Sequence, residues 1–113
     1  QRLVQYIGKS KALELLMTAD MIDAAEALRL GLVNYVVPAG EEVTKAKELI
    51  EKITTKAPVA IAKVIESVNA LFEDGIDGFA TEIDAFGACC DTEDFREGAT
   101  AFVEKRKANF LGK

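Results

Sequence analysis

The chain has 113 residues, enough for one domain and too few for a large two-domain enzyme. Half of them are hydrophobic but only 7% are aromatic, a mixture better suited to closely packed helices than to a β-sandwich core. The net charge of −5 excludes a nucleic-acid-binding surface covering the whole chain, and no apolar run reaches the ~20 residues of a membrane span.

Read in order, Leu3, Val4 and Ile7 predict a short helix over residues 1–7 that breaks at Gly8. Lys9 to Thr18 reads as a second helix, with Ala12, Leu13, Leu16 and Met17 on one face. Met21 and Ile22 read as extended. Asp23 and Glu26 offer a capping box for a helix from Ala24 to Leu30, and Gly31 stands where a left-handed cap belongs. Val33 to Val37 is β-prone and is ended by Pro38, so one or two short strands are expected.

The second half is nearly all helix. Glu41 to Thr54 places Val43, Ala46, Leu49, Ile50 and Ile53 on a face expected to be buried. Pro58 suits the first turn of the next helix, which runs to Phe72 with Ile61, Val64, Ile65, Val68, Leu71 and Phe72 inward. Asp74-Gly75 marks a turn. Asp77 caps a helix bearing Phe79, Ile83, Phe86 and Cys90, and Asp91-Thr92 caps the last one. That last helix opens with Glu93 and Asp94 and runs toward Lys105, Arg106 and Lys107, charges ordered as the helix dipole favours. Phe95, Ala99, Phe102 and Val103 form its apolar face. The fold class is therefore mostly α.

Several chemistries are excluded within this chain. It holds no histidine, so no Ser-His or Cys-His nucleophile pair can form. Its two cysteines, Cys89 and Cys90, are adjacent; they supply no tetrahedral zinc site and read as packed thiols in a cytosolic pattern of cysteine use. No phosphate-binding glycine motif occurs. Glu93 and Glu97 share a helix face and read as solvated, as do Glu41 and Glu42 at their helix start. The segment 105–113 carries Lys105, Arg106, Lys107 and Lys113 with no acid. A solvated helix end competes there with a site for a phosphorylated ligand.

Blocks along the whole chain resemble the enoyl-CoA hydratase (crotonase) family. They are Gln1-Arg2-Leu3 with Ile7-Gly8-Lys9, then Leu15 to Ala24, then Glu26-Ala27 with Gly31 to Asn34 and Val37-Pro38. Phe86-Gly87, Thr92-Glu93-Asp94, Glu97-Gly98 and Ala101 to Arg106 complete the set, closest to the short-chain hydratases. One departure is Ala19, where the family has glycine; a left-handed backbone there would cost alanine ~1 kcal/mol.

The resemblance implies a C-terminal portion of a crotonase-like fold, in keeping with a start at Gln1 and not at methionine. Residues 1–38 would end the core, and 39–113 would form a helical oligomerisation domain packing as a trimer or a dimer of trimers. The parent would hydrate trans-2-enoyl-CoA in the cytoplasm, taking a coenzyme A thioester as substrate with no metal or redox cofactor and no nucleic-acid or membrane partner. Its catalytic glutamates and oxyanion hole would precede Gln1, so no catalytic residue is assigned and this chain alone is expected to be inactive. Lys105 matches a lysine that reaches CoA's phosphorylated adenosine in a neighbouring subunit, with Phe102 beside it; Phe86 matches a residue of the acyl-pocket wall. Two other readings are an enoyl-CoA isomerase or related acyl-CoA enzyme, and a stand-alone helical oligomerisation module.

Overall fold

The computed structural model describes all of residues 1–113. It has seven helices and no strand: α1 (Arg2–Ile7), α2 (Lys9–Thr18), α3 (Ala24–Arg29), α4 (Glu42–Thr54), α5 (Pro58–Ala70), α6 (Gly78–Cys90) and α7 (Glu93–Glu104). Val33–Val37 does not form the expected strand, and neither do Met21 and Ile22. A strand needs a partner ladder for its backbone N–H and C=O groups, and the chain offers no second strand. Two compact units are resolved, Gln1–Lys45 and Ala46–Lys113, divided within α4.

In the first unit α1 packs on α2. Gly8, at φ 79°, ends α1, and Gly31, at φ 73°, follows α3. Asp23 caps α3 by accepting the Glu26 N–H at 2.7 Å. The capping box is only half made, because the Glu26 carboxylate turns to the Arg29 guanidinium at 2.6 Å. That guanidinium holds the Glu26 carboxyl below its ordinary pKa. Ala19 ends α2 in the left-handed region, at φ 56° and ψ 25°, with its N–H on the Leu15 carbonyl.

In the second unit α5 packs on α6, and α7 on α6. Pro58 opens α5 as expected, but α5 ends at Ala70 and not at Phe72; Leu71 is its cap. Gly75, at φ 81°, sits in the turn before α6. A Cβ at Gly78 would stand 3.6 Å from the Leu71 nitrogen, an ordinary van der Waals distance, which shows how closely the start of α6 lies against the end of α5. Asp77 caps α6 through the N–H groups of Phe79 and Ala80. Thr92 caps α7 through the Phe95 N–H at 3.0 Å and donates its own hydroxyl to the Cys89 carbonyl, tying the end of α6 to the start of α7.

The apolar faces are present at helical spacing, but they are not buried. The only buried residues are Ala12, Ala70, Ala85, Ala101 and Asp94. Leu13, Leu16 and Met17 of α2 are exposed, as are Val43, Ala46, Ile50 and Ile53 of α4; Leu49 is half-buried. Ile61 is half-buried, whereas Val64, Ile65, Val68, Leu71 and Phe72 are exposed. The same holds for Phe79, Ile83 and Phe86 of α6 and for Phe95, Ala99, Phe102 and Val103 of α7. Small residues bring the helices together, and nothing in the chain covers the large ones. Monomeric proteins seldom leave so many large apolar side chains open.

Candidate functional site

Two features of the second unit draw attention. The first is a groove of about 1120 Å³ between α5 and α6. The buried Ala70 and Ala85 line it, with the half-buried Ala60 and Gly78, and Val64, Val68, Leu71, Phe79, Ile83 and Phe86 add its apolar surface. Small residues at the crossing let the helices close at the base, while branched and aromatic side chains stand open above. Phe86, 68% exposed, is therefore available to an apolar ligand or to another polypeptide. Polar groups are few: Lys63, Ser67, Glu82 and the Cys89 thiol. Lys63 is engaged by Glu66 at 2.7 Å, whose carboxylate raises the ammonium pKa. Cys89 and Cys90 are both free and half-buried.

The second feature is the end of α7. Here the chain leaves the helix through a left-handed residue that is not glycine: Lys105, at φ 55° and ψ 36°. The Arg106 N–H bonds the Ala101 carbonyl at 3.0 Å and the Lys105 N–H bonds the Phe102 carbonyl at 3.3 Å, the paired pattern of a Schellman cap. Glycine is the usual occupant because a Cβ is disfavoured in this conformation by roughly 1–2 kcal/mol. Phe102 is 86% exposed beside this turn. No carboxylate of the chain pairs with Lys105, whereas Arg106 is fully engaged.

Arg106 grips Glu97 with both Nη groups, at 2.6 and 2.8 Å, and reaches Glu104 through Nε at 2.6 Å. Glu97 also accepts the Asn109 N–H at 2.8 Å. With the guanidinium first and the amide second, the Glu97 carboxyl falls to a pKa of about 2. The Arg106 pKa is raised by the same contacts. Further along, Asp94 accepts the N–H groups of Leu111 and Gly112 at 2.7 and 2.8 Å, and its own N–H meets the Lys113 carbonyl. The tail thus doubles back along α7. The Phe110 ring lies over Gly98, where an added Cβ would come within 3.3 Å of it.

These contacts correct the sequence reading. Glu97 is half of a bidentate ion pair and not simply a solvated charge, and Arg106 is not a free cation of the tail. Asp94 does more than complement the helix dipole, since it is the one buried charge of the chain. None of this could be read from periodicity, because the partners stand up to 18 residues apart. Phe102 and Lys105 lie together at the end of α7, while Phe86 lies apart from them, in the α5–α6 groove that neither of them lines. No three His, Cys, Asp or Glu side chains converge into a group that could hold a metal ion. No helix is long and apolar enough to cross a membrane.

The chain thus combines open apolar faces, an apolar groove and an unpaired lysine at a left-handed helix cap. The chain belongs to the enoyl-CoA hydratase/isomerase family, whose model matches residues 1–113. It is 44% identical to a crotonyl-CoA hydratase of Syntrophomonas wolfei over all of its own length and 44% of that protein's. It is 45% identical to a short-chain-enoyl-CoA hydratase of Clostridium acetobutylicum, across 95% of this chain and 41% of the relative. In structure it matches an enoyl-CoA hydratase of Bacillus anthracis with a TM-score of 0.89 at 38% identity, covering 100% of this chain and 44% of the other. The chain therefore spans less than half the length of these relatives.

Proposed function

We propose that the chain is the C-terminal part of an enzyme that adds water across the double bond of a trans-2-enoyl-CoA to give 3-hydroxyacyl-CoA. The observation that carries this reading is the identity to short-chain hydratases along essentially the whole chain. In the reaction a carboxylate base activates water for attack at C3, and an acid delivers the proton at C2. Backbone N–H groups hold the thioester oxygen as it gains charge. No metal or redox cofactor enters the scheme, and the acids and the oxyanion hole belong to the portion preceding this chain.

What these residues contribute is binding and assembly. The exposed faces of α4 to α7 fit packing against the rest of the enzyme and against neighbouring subunits in a trimer or a dimer of trimers, in the cytoplasm. Phe86 offers an apolar wall to the acyl chain. Lys105, with Phe102 beside it, offers an unpaired ammonium to a CoA phosphate in a neighbouring subunit, a target suited to a compact charge on a flexible stem.

Loss of the conjugated enoyl-thioester absorbance of crotonyl-CoA tests the reading. The intact enzyme is expected to turn over, and the 113-residue chain alone to be inert. In the intact enzyme, Lys105→Ala should raise KM for crotonyl-CoA with little change in kcat. A silent intact enzyme would move the assignment to the isomerases that the same family model covers. Turnover by the isolated chain would refute the placement of the catalytic acids. A stand-alone oligomerisation module is disfavoured by the family match, which runs from Gln1 onward and spans less than half of the relatives' length.

A further inference from the structure

The left-handed cap at Lys105 and the clamp on Arg106 are consecutive in the chain, and together they suggest a division of labour. On the helix side, Lys105 is fixed by the two cap bonds to Ala101 and Phe102. On the tail side, the next residue is held by Glu97 and Glu104, and the Asn109 amide returns to the same Glu97 oxygen that Arg106 Nη1 contacts. Lys105 stands at the apex of this reversal, with its backbone constrained on both sides and its ammonium unpaired. Lys107 and Lys113 are unpaired too, but neither occupies a disfavoured backbone region. Glycine would satisfy the turn with less strain, so the turn alone does not account for a lysine. Strain held in place by surrounding bonds is a feature of sites where geometry matters.

We propose that Glu97 is a positioning residue: by gripping Arg106 and the Asn109 amide it fixes the reversal that presents the Lys105 ammonium to a ligand phosphate. The inference rests on the reading of Lys105 as a CoA contact. It predicts a sign that simple electrostatics does not. Neutralising Glu97 removes a negative charge near Lys105 and frees Arg106, so Coulomb's law alone predicts tighter binding of a polyanion. Positioning predicts weaker binding, because the lysine loses its fixed origin.

The experiment compares two substrates of the intact enzyme: crotonyl-CoA, and crotonyl-pantetheine, which lacks the phosphorylated adenosine. Glu97→Gln is expected to raise KM about two- to fivefold for crotonyl-CoA, the scale of one exposed ion pair, and to leave kcat and the pantetheine thioester unchanged. Lys105→Ala should show the same selectivity, and adding Glu97→Gln to it should cause no further loss. Arg106→Lys, which keeps the charge but not the bidentate grip, should shift KM in the same direction and by less. It serves as the test should Glu97→Gln fail to fold. If Lys105→Ala is selective while Glu97→Gln is neutral or lowers KM, the positioning role is overturned and the CoA contact stands. If both are neutral, the CoA contact itself falls and takes the proposal with it. A loss in kcat, or an equal rise in KM for both thioesters, would also overturn it, since that is the mark of general structural damage.

Discussion

Replacing Asp94 by alanine should release the tail of this chain. The carboxylate is 2% exposed and accepts two backbone N–H groups, from Leu111 at 2.7 Å and Gly112 at 2.8 Å. A hydrogen bond to a charged group contributes roughly 1.5–3 kcal/mol net, so two give about 3–6 kcal/mol. Asp94 is also the second residue of α7, where the dipole adds about 0.3–1 kcal/mol. Leu111 is exposed, however, so the freed amides can turn to water and the cost should lie near the lower end, about 3 kcal/mol. Amide hydrogen exchange reads the effect directly. Leu111 and Gly112 should lose about two decades of protection in Asp94→Ala, since ~1.4 kcal/mol is tenfold. Asp94→Asn keeps one acceptor but turns an NH₂ toward a backbone donor, and should fall between wild type and alanine. Protection within about 0.5 kcal/mol of wild type in Asp94→Ala would refute the reasoning, because a buried carboxylate would then be contributing no more than a surface one.

Ala19→Gly should stabilise the chain. The left-handed backbone costs alanine about 1–2 kcal/mol, and glycine's greater freedom in the unfolded chain returns about 0.4–1 kcal/mol of that. A net gain of about 0.5–1 kcal/mol should appear as a higher urea midpoint at unchanged slope, and an unchanged or lower midpoint would refute it. The Glu97–Arg106 pair carries a pH signature. The folded Glu97 carboxyl titrates at about 2, below its ordinary 4.5, so its contribution is complete above pH 4.5 and is lost as pH falls through about 2. Protection of the Asn109 amide should follow that window, and a loss of protection centred near pH 4.5 would show that the carboxyl is not held.

The local features were legible and the long-range ones were not. Asp23, Asp77 and Thr92 cap their helices as their side-chain oxygens require, Pro58 opens α5, and Gly31 and Gly75 take positive φ. Each of these depends on a few consecutive residues and so is written in the sequence. Val33 to Val37 has strand composition, but pairing depends on a partner that composition cannot supply. The apolar stripes are visible in the helical spacing, yet burial is decided by what lies opposite, and this chain places nothing there. At the end of α7 the basic cluster is visible as charge alone. That Arg106 is consumed by Glu97 while Lys105 is left free follows from a chain reversal with no periodic signature.

Two residues other than glycine, Ala19 and Lys105, hold the left-handed backbone. Both end a helix, with their N–H groups on carbonyls of the preceding turn. At Ala19 the side chain is a methyl group with no chemistry of its own, so glycine could replace it and only strain would be lost. At Lys105 the same replacement would remove the strain and the ammonium together. Relief and charge cannot be separated there. The surroundings differ in the same sense: after Ala19 the Thr18 hydroxyl oxygen accepts the Asp20 N–H at 3.3 Å, whereas two carboxylates, Glu97 and Glu104, clamp the Arg106 side chain. A strained backbone braced by two carboxylates, carrying an unpaired charge, is costly to keep as a mere helix end. In the role proposed for Lys105, the same strain and bracing would serve a fixed mount for a phosphate ligand.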